Sequence, residues 1–381
     1  MKAYLSFCTA SFTMCFAALQ LTAAAEPMFT DMDLFVSGHD NVNIYRIPSL
    51  IVAPSGTILA LIEAREGDDG DPTDLALKRS FYPGPPGPPR MLNGYPRVFG
   101  YGVNWEPMRI VLPGKGNAIM NPCPVLDTST GRIWLPCYEV HGGLNEHLKD
   151  PYKGRLLLTW SDTDGVNWAP PRDLTGDLPR FIPGPGVGVE LRTGRLVVPG
   201  YWAPAANVAS RSCVIYSNDH GETWLRGAQV DGNTDESQAV ELSDGVLMLN
   251  CRSNRGKGCR YVARSRDGGQ TWFEEFDEPS LPEPVCQGSI LRQAQPAADG
   301  AKPWLVFVNP TQGRAHLTVR VSTDDGKTWS AGRTIQPGPA AYSGMAFLKD
   351  GTIGVLYETG KVHPYEKIAF ARFNLEWLAG K

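Results

Sequence analysis

An all-β chain made of repeated units is what the sequence leads one to expect, from its turns, its strand patterns and its composition. A turn ending in tryptophan recurs. Residues 217–224 read Ser-Asn-Asp-His-Gly-Glu-Thr-Trp, residues 265–272 read Ser-Arg-Asp-Gly-Gly-Gln-Thr-Trp, and residues 322–329 read Ser-Thr-Asp-Asp-Gly-Lys-Thr-Trp. A weaker copy occupies residues 161–168. The spacing of roughly 50 residues is that of a repeat architecture. Alternating stretches beside the turns, at 211–216 and 317–321, read as hairpin strands. The 41 glycines and 32 prolines favour turns over long helices.

Each part of the turn has a physical task. Ser and Asp side chains fold back onto neighbouring backbone N–H groups. Gly takes a backbone conformation that a side chain would forbid. Trp then leaves the turn and packs its large apolar area between sheets. Repeated four-stranded units around an axis make a β-propeller, whose ligand sites usually lie in the central channel.

The first repeat differs from the others. Leu77-Lys78-Arg79-Ser80 stands where a turn should begin, and Gly102-Val103-Asn104-Trp105 resembles the end of the copy at 165–168. Between them lies Phe81-Tyr82-Pro83-Gly84-Pro85-Pro86-Gly87-Pro88-Pro89, too short for a collagen helix and read as a stiff loop. An insertion of roughly twenty residues therefore splits the first turn, a change that loop tips tolerate.

Residues 1–25 read as a secretory signal peptide: Lys2, an apolar stretch from Phe12 to Leu21, then Thr22-Ala23-Ala24-Ala25. Residues 26–381 then form a single domain, with no integral membrane segment left after signal removal. Export places the protein outside the cell or in the periplasm. The net charge of −4 argues against nucleic acid as a partner. Cys8 and Cys15 lie in the signal; Cys123, Cys137, Cys213, Cys251, Cys259 and Cys286 remain, with no pairing legible from their spacing. No CxxC or HExxH occurs, so no protein-built zinc site is expected.

Near the start stands Tyr45-Arg46-Ile47-Pro48. Together with the repeated turns, it makes the chain resemble the exo-α-sialidases (neuraminidases), specifically the lysosomal-type animal enzyme and its bacterial relatives. The match covers residues 36–358. The resemblance implies a six-bladed β-propeller in which the tryptophan turns are Asp-boxes, and a lysosomal location if the source is an animal. It also implies a retaining exo-α-sialidase acting, without metal or cofactor, on sialylated glycoconjugates, whether oligosaccharide, glycoprotein or glycolipid.

The site residues follow by motif. Sialic acid carries a carboxylate, which an arginine fork can bind with two hydrogen bonds. The family's three arginines fall on Arg46, on Arg252 in Asn250-Cys251-Arg252, and on Arg314 in Gly313-Arg314-Ala315-His316, with Arg320 the other candidate for the third. Tyr342 falls at the nucleophile, the tyrosine exception among glycosidases. A phenol is a weak nucleophile at neutral pH and needs a base, which falls on Glu236. A neutral phenol also avoids the repulsion that an anionic nucleophile would meet at a carbon bearing a carboxylate. The acid/base falls among Asp68, Asp69, Asp71 and Asp74. Family spacing selects Asp69, and a one-residue gap would select Asp68. Glu358 matches the carboxylate that orients the first arginine, Arg65 a pocket residue beside the acid, and residues 121–125 the region of the N-acyl pocket.

Two other readings share these features. A hydrolase of a related nonulosonic acid, or a trans-sialidase, would keep the same arginines; product analysis with and without an acceptor sugar separates them. A non-catalytic propeller binding glycan or protein would keep the turns without needing a nucleophile, its base and three guanidinium groups.

Overall fold

The structure is a computed structural model describing residues 26–81, 91–92, 95–96, 104–141, 154–205, 208–293 and 303–380. Residues 1–25, where a signal peptide is expected, and most of the Pro-rich insertion lie outside the described residues. Those described are almost wholly β; the helical exception is the turn Leu375–Leu378, capped by the Asn374 side chain.

The strands follow one another as antiparallel runs. The first comprises Ile44–Val52, Ile58–Arg65, Thr73–Ser80 and Arg109–Leu112. The second sets Ala118–Met120 and Val125–Leu126 beside Ile133–Val140, then Gly154–Ser161 and Arg172–Asp173. The third sets Phe181–Pro183 and Val189–Glu190 beside Leu196–Trp202, then Arg211–Ser217 and Leu225–Arg226. The fourth is Thr234–Glu241, Leu247–Ser253, Cys259–Ser265 and Glu274–Pro282. The fifth is Ser289–Arg292, Leu305–Pro310, Ala315–Ser322 and the start of the long strand Arg333–Phe347. The sixth takes the rest of that strand, then Ile353–Thr359 and Lys367–Phe373, and is completed from the other end of the chain by Phe29–Val36.

Successive runs share apolar cores. Leu59, Leu61, Leu75 and Leu77 of the first meet Ile133, Leu135 and Leu157 of the second. Leu156 and Leu158 meet Leu196, Val198 and Ile215 of the third. Val197 and Val214 meet Leu247, Leu249 and Ala263 of the fourth, and Met248 and Val262 meet Ile290, Leu305 and Phe307 of the fifth. Val306 and Val319 meet Met345, Ile353 and Val355 of the sixth. The sixth and first also share one, in which Leu356, Ile368 and Phe370 pack on Leu50, Ile58, Ala60 and Ile62. Burying such side chains contributes roughly 1.5–3 kcal/mol each.

The tryptophan turns are built as their sequence implies. Ser217, Ser265 and Ser322 accept from the N–H of Gly221, Gly269 and Gly326 at 2.8 Å each. Asp219, Asp267 and Asp324 accept from Thr223, Thr271 and Thr328 N–H at 2.9 Å each. In the weaker copy Thr163 takes the aspartate's place and accepts from Asn167 N–H at 2.9 Å. Trp168, Trp224, Trp272 and Trp329 each join one of the inter-run cores.

The split first turn keeps the same frame. In the intact copies the residue after Trp donates back to the residue before Ser, as in Ala169 N–H to Trp160, Phe273 to Arg264 and Ser330 to Val321. Glu106 N–H donates to Arg79 at 2.8 Å in the same way. Trp105 packs edge-on against Phe370 at 5.1 Å, in the core shared by the first and sixth runs.

Polar contacts join the leading strands of some runs to the leading segments of others. Ser49 Oγ donates to Gly186 O at 2.6 Å, Gln238 Nε2 to Pro185 O at 3.1 Å and Gln287 Nε2 to Ser343 O at 3.0 Å. These buried groups are thus satisfied where the strands converge.

Candidate active site

Three strands carry a β-bulge at a side chain that the sequence places in the site. Register slips between Arg46 and Ser49, between Thr234 and Ser237, and between Ala340 and Ser343. Those intervals hold or border Arg46, Glu236 and Tyr342. A bulge re-aims a side chain out of the alternating pattern and is common beside active sites. Ile47, next to Arg46, has φ 58°, a conformation that a β-branched residue adopts only under constraint. Its N–H donates to Glu358 Oε1 at 2.9 Å, which holds it there.

A cavity of about 280 Å³ opens at these bulges. Arg46, Arg65, Asp69, Glu236, Arg252, Arg314 and Tyr342 all line it. Glu358 lies beneath, fully buried, and takes Arg46 Nε at 2.6 Å and the Tyr342 N–H at 3.1 Å. The eight residues that the motifs selected are thus brought to one place.

At the centre is Tyr342, only 5% exposed. Its hydroxyl lies 2.6 Å from Glu236 Oε1 and 2.8 Å from Arg252 Nη1. A guanidinium can only donate, so the phenolic oxygen accepts from Arg252 and its own proton points at Glu236. Burial pushes the Tyr342 hydroxyl well above its usual pKa; the Glu236 charge pushes it the same way and Arg252 pulls it back. At rest the hydroxyl is therefore neutral. Arg252 also donates to Glu236 Oε2 at 2.7 Å, and its Nε stands 3.5 Å from Asp235.

Asp69 stands at the mouth, its side chain 61% exposed, paired with Arg65. Arg65 is in turn held by Glu63, whose Oε2 accepts from its Nε at 2.7 Å and whose Oε1 accepts Asn121 N–H at 2.7 Å. Burial raises the Glu63 pKa, while Arg65 and the Asn121 N–H work in the opposite direction. Asp68 does not line the cavity; its N–H donates to Asp71 instead. Asp74 accepts from Gly114 N–H away from the site.

The two candidates for the third arginine separate cleanly. Arg314 precedes strand Ala315–Ser322 and faces the cavity, its Nη1 donating to Tyr365 Oη at 2.6 Å. Arg320 lies further along that strand, opposite Phe307, buried and outside the cavity lining.

Residues 121–125 divide. Asn121 lines the cavity, whereas Cys123 and Val125 belong to the core between the second and third runs. The apolar part of the wall is Met120, Val140 and Ile182, with Tyr138 and Tyr201. These and Tyr365 had no motif to mark them. Glu63 could have been found by alternation, since it stands two residues before Arg65 on the same face of a strand. Among the described residues the six cysteines, Cys123, Cys137, Cys213, Cys251, Cys259 and Cys286, are buried free thiols. Among the described residues no group of His, Cys, Asp and Glu side chains could hold a metal, and no helix is long and apolar enough to cross a membrane.

Residues 57–355 match the model of the BNR repeat-like domain. The chain is 33% identical over 389 residues to the sialidase of Micromonospora viridifaciens, covering 96% of this chain and 56% of that protein. It is 31% identical over 369 residues to sialidase-2 of Cricetulus griseus, covering 87% of this chain and 92% of that protein. The Hadza microbial sialidase Hz136 superimposes with a TM-score of 0.77 at 30% identity, over 91% of this chain and 69% of that one. The chain belongs to the sialidase family. It spans little more than half the length of the Micromonospora relative.

Proposed function

We propose that this protein is a retaining exo-α-sialidase that releases terminal sialic acid from glycoconjugates through a tyrosine nucleophile. The observation that carries this reading is the Tyr342 hydroxyl, placed between a carboxylate and a guanidinium at 2.6 and 2.8 Å in an arginine-lined cavity.

Arg46, Arg252 and Arg314 receive the sugar's carboxylate, as three fixed forks suit a planar anion. Tyr342 Oη attacks the anomeric carbon as its proton passes to Glu236, and Arg252 steadies the charge developing on the oxygen. The bond to the aglycone oxygen breaks, and Asp69 supplies the proton that oxygen needs. In the second half Asp69 takes a proton from water, whose oxygen replaces Tyr342 on the anomeric carbon, and Glu236 returns the phenolic proton. Two displacements leave the configuration retained. Glu63 and Glu358 hold Arg65 and Arg46 without touching the sugar.

The scaffold in this reading is a six-bladed β-propeller, each antiparallel run a blade. The core shared by the sixth and first runs supports closure, as does Phe29–Val36 pairing with Lys367–Phe373. The leader-like residues 1–25 support export.

The test is turnover of sialyllactose and of an aryl sialoside, with products resolved in the presence and absence of added lactose. Free sialic acid as the product in both cases supports a sialidase. Transfer to lactose supports a trans-sialidase, and no turnover of either substrate rejects catalysis.

A further inference from the structure

We infer that Tyr365 is a positioning residue, which holds the Arg314 fork in register for the sugar carboxylate while leaving its charge uncompensated. This rests on the sialoside reading and adds to it a residue that no motif marked.

The arginines of the cavity are not held alike. Arg46 is paired with Glu358, Arg252 with Glu236, and Arg65 with both Glu63 and Asp69. Among the described residues Arg314 has no carboxylate partner within ion-pair distance. Its hydrogen bond goes from Nη1 to Tyr365 Oη at 2.6 Å, and the guanidinium lies 5.3 Å from the Tyr342 ring, with the neutral Cys286 thiol also near. Burial keeps the Tyr365 phenol above its usual pKa, so it accepts that bond as a neutral group. A neutral acceptor can orient a guanidinium without cancelling the charge that an incoming anion needs.

The same ring serves a second arginine. The Arg46 guanidinium lies over the Tyr365 ring at 3.8 Å, within cation–π range. One side chain therefore braces two of the three forks. Its own placement is firm. Tyr365 O accepts from Ser37 Oγ at 2.9 Å, and the His363 ring packs edge-on against it at 4.5 Å. Glu366 accepts the N–H groups of Lys361, Val362 and His363 at 2.9, 2.8 and 2.9 Å, which ties down the approach to it.

Tyr365→Phe isolates the hydroxyl, because the ring over Arg46 is kept. A hydrogen bond to a charged group contributes enough that its loss should weaken binding of the unsaturated sialic-acid analogue roughly tenfold. KM for an aryl sialoside should rise with kcat changed far less. The effect should vanish in an Arg314→Ala background, and for an analogue whose carboxylate is replaced by a carboxamide. Titration calorimetry on the four proteins of this double-mutant cycle reads all of this, with melting curves as the folding control. Wild-type binding with an unchanged affinity in Tyr365→Phe overturns the assignment alone, as does a loss that persists undiminished in Arg314→Ala. A wild-type protein that binds no analogue overturns both the assignment and the sialoside reading.

Discussion

The Tyr342 hydroxyl and the Glu236 carboxylate, 106 residues apart in the chain, meet at 2.6 Å, and the bulges in their two strands aim both into the cavity. Removing only the oxygen tests this pair. Tyr342→Phe should lose nearly all turnover on natural sialosides, a drop of at least about 100-fold given what proton transfer to a placed base contributes. Binding of a sialic-acid analogue should persist, since Glu236 and Arg252 stay paired at 2.7 Å. Near-normal turnover would remove Tyr342 from the nucleophile role.

Asp69 faces solvent at the cavity mouth, and the acid role proposed for it makes a leaving-group prediction. Asp69→Asn should slow sialyllactose cleavage far more than cleavage of an aryl sialoside, because a phenol leaves with little protonation. Equal losses on the two substrates would mean that Asp69 acts only through its pairing with Arg65. A stronger selective loss in Asp68→Asn would move the assignment by one residue.

Replacing a fork by an ammonium keeps charge and loses geometry. Arg46→Lys, Arg252→Lys and Arg314→Lys should each weaken binding of a sialic-acid analogue, at the low end of the roughly 2–5 kcal/mol seen when a desolvated charged contact is truncated. Arg320→Lys should leave binding unchanged, as that side chain lies outside the cavity. Calorimetric titration that showed the reverse for Arg314 and Arg320 would exchange the two.

A pH effect follows from Asp235, which accepts from Glu236 N–H and Asn254 Nδ2 at 2.7 Å each. Burial pushes its carboxyl from an ordinary 3.8 up to about 6, with Arg252 opposing the shift and the Glu236 charge adding to it. The folded protein therefore holds this proton more tightly than the unfolded chain between those values. That stabilises the fold at low pH, and the benefit is lost as pH rises through about 6. Asp235→Asn removes the titration. Its melting temperature relative to wild type should climb between about pH 4 and pH 7. A difference that stays flat over that window would show that Asp235 does not titrate there.

The tryptophan turns were legible in the sequence because their chemistry is local: Ser217, Asp219 and Gly221 act within one turn, and their hydrogen bonds follow from their order. Even the split first turn could be read, since Trp105 and Ser80 keep their places around the insertion. Arg46, Arg252, Arg314, Glu236 and Tyr342 were legible through motifs, and geometry then separated Arg314 from Arg320. Tyr365 and Ile182 were not. Tyr365 reaches Arg314 across 51 residues, and Ile182 meets the cavity only because the second and third runs pack side by side. No local pattern encodes such a meeting, and the bulge that turns Arg46 inward departs from strand alternation altogether.

The most direct measurement is the configuration of the sugar at the instant of release, followed by proton NMR as an aryl α-sialoside is cleaved. A covalent bond to Tyr342 Oη, made and then broken by water, gives the α-anomer of sialic acid first, with the β-anomer growing in only through mutarotation. Appearance of the β-anomer from the first spectra would mean a single displacement by water, and would contradict Tyr342 as nucleophile.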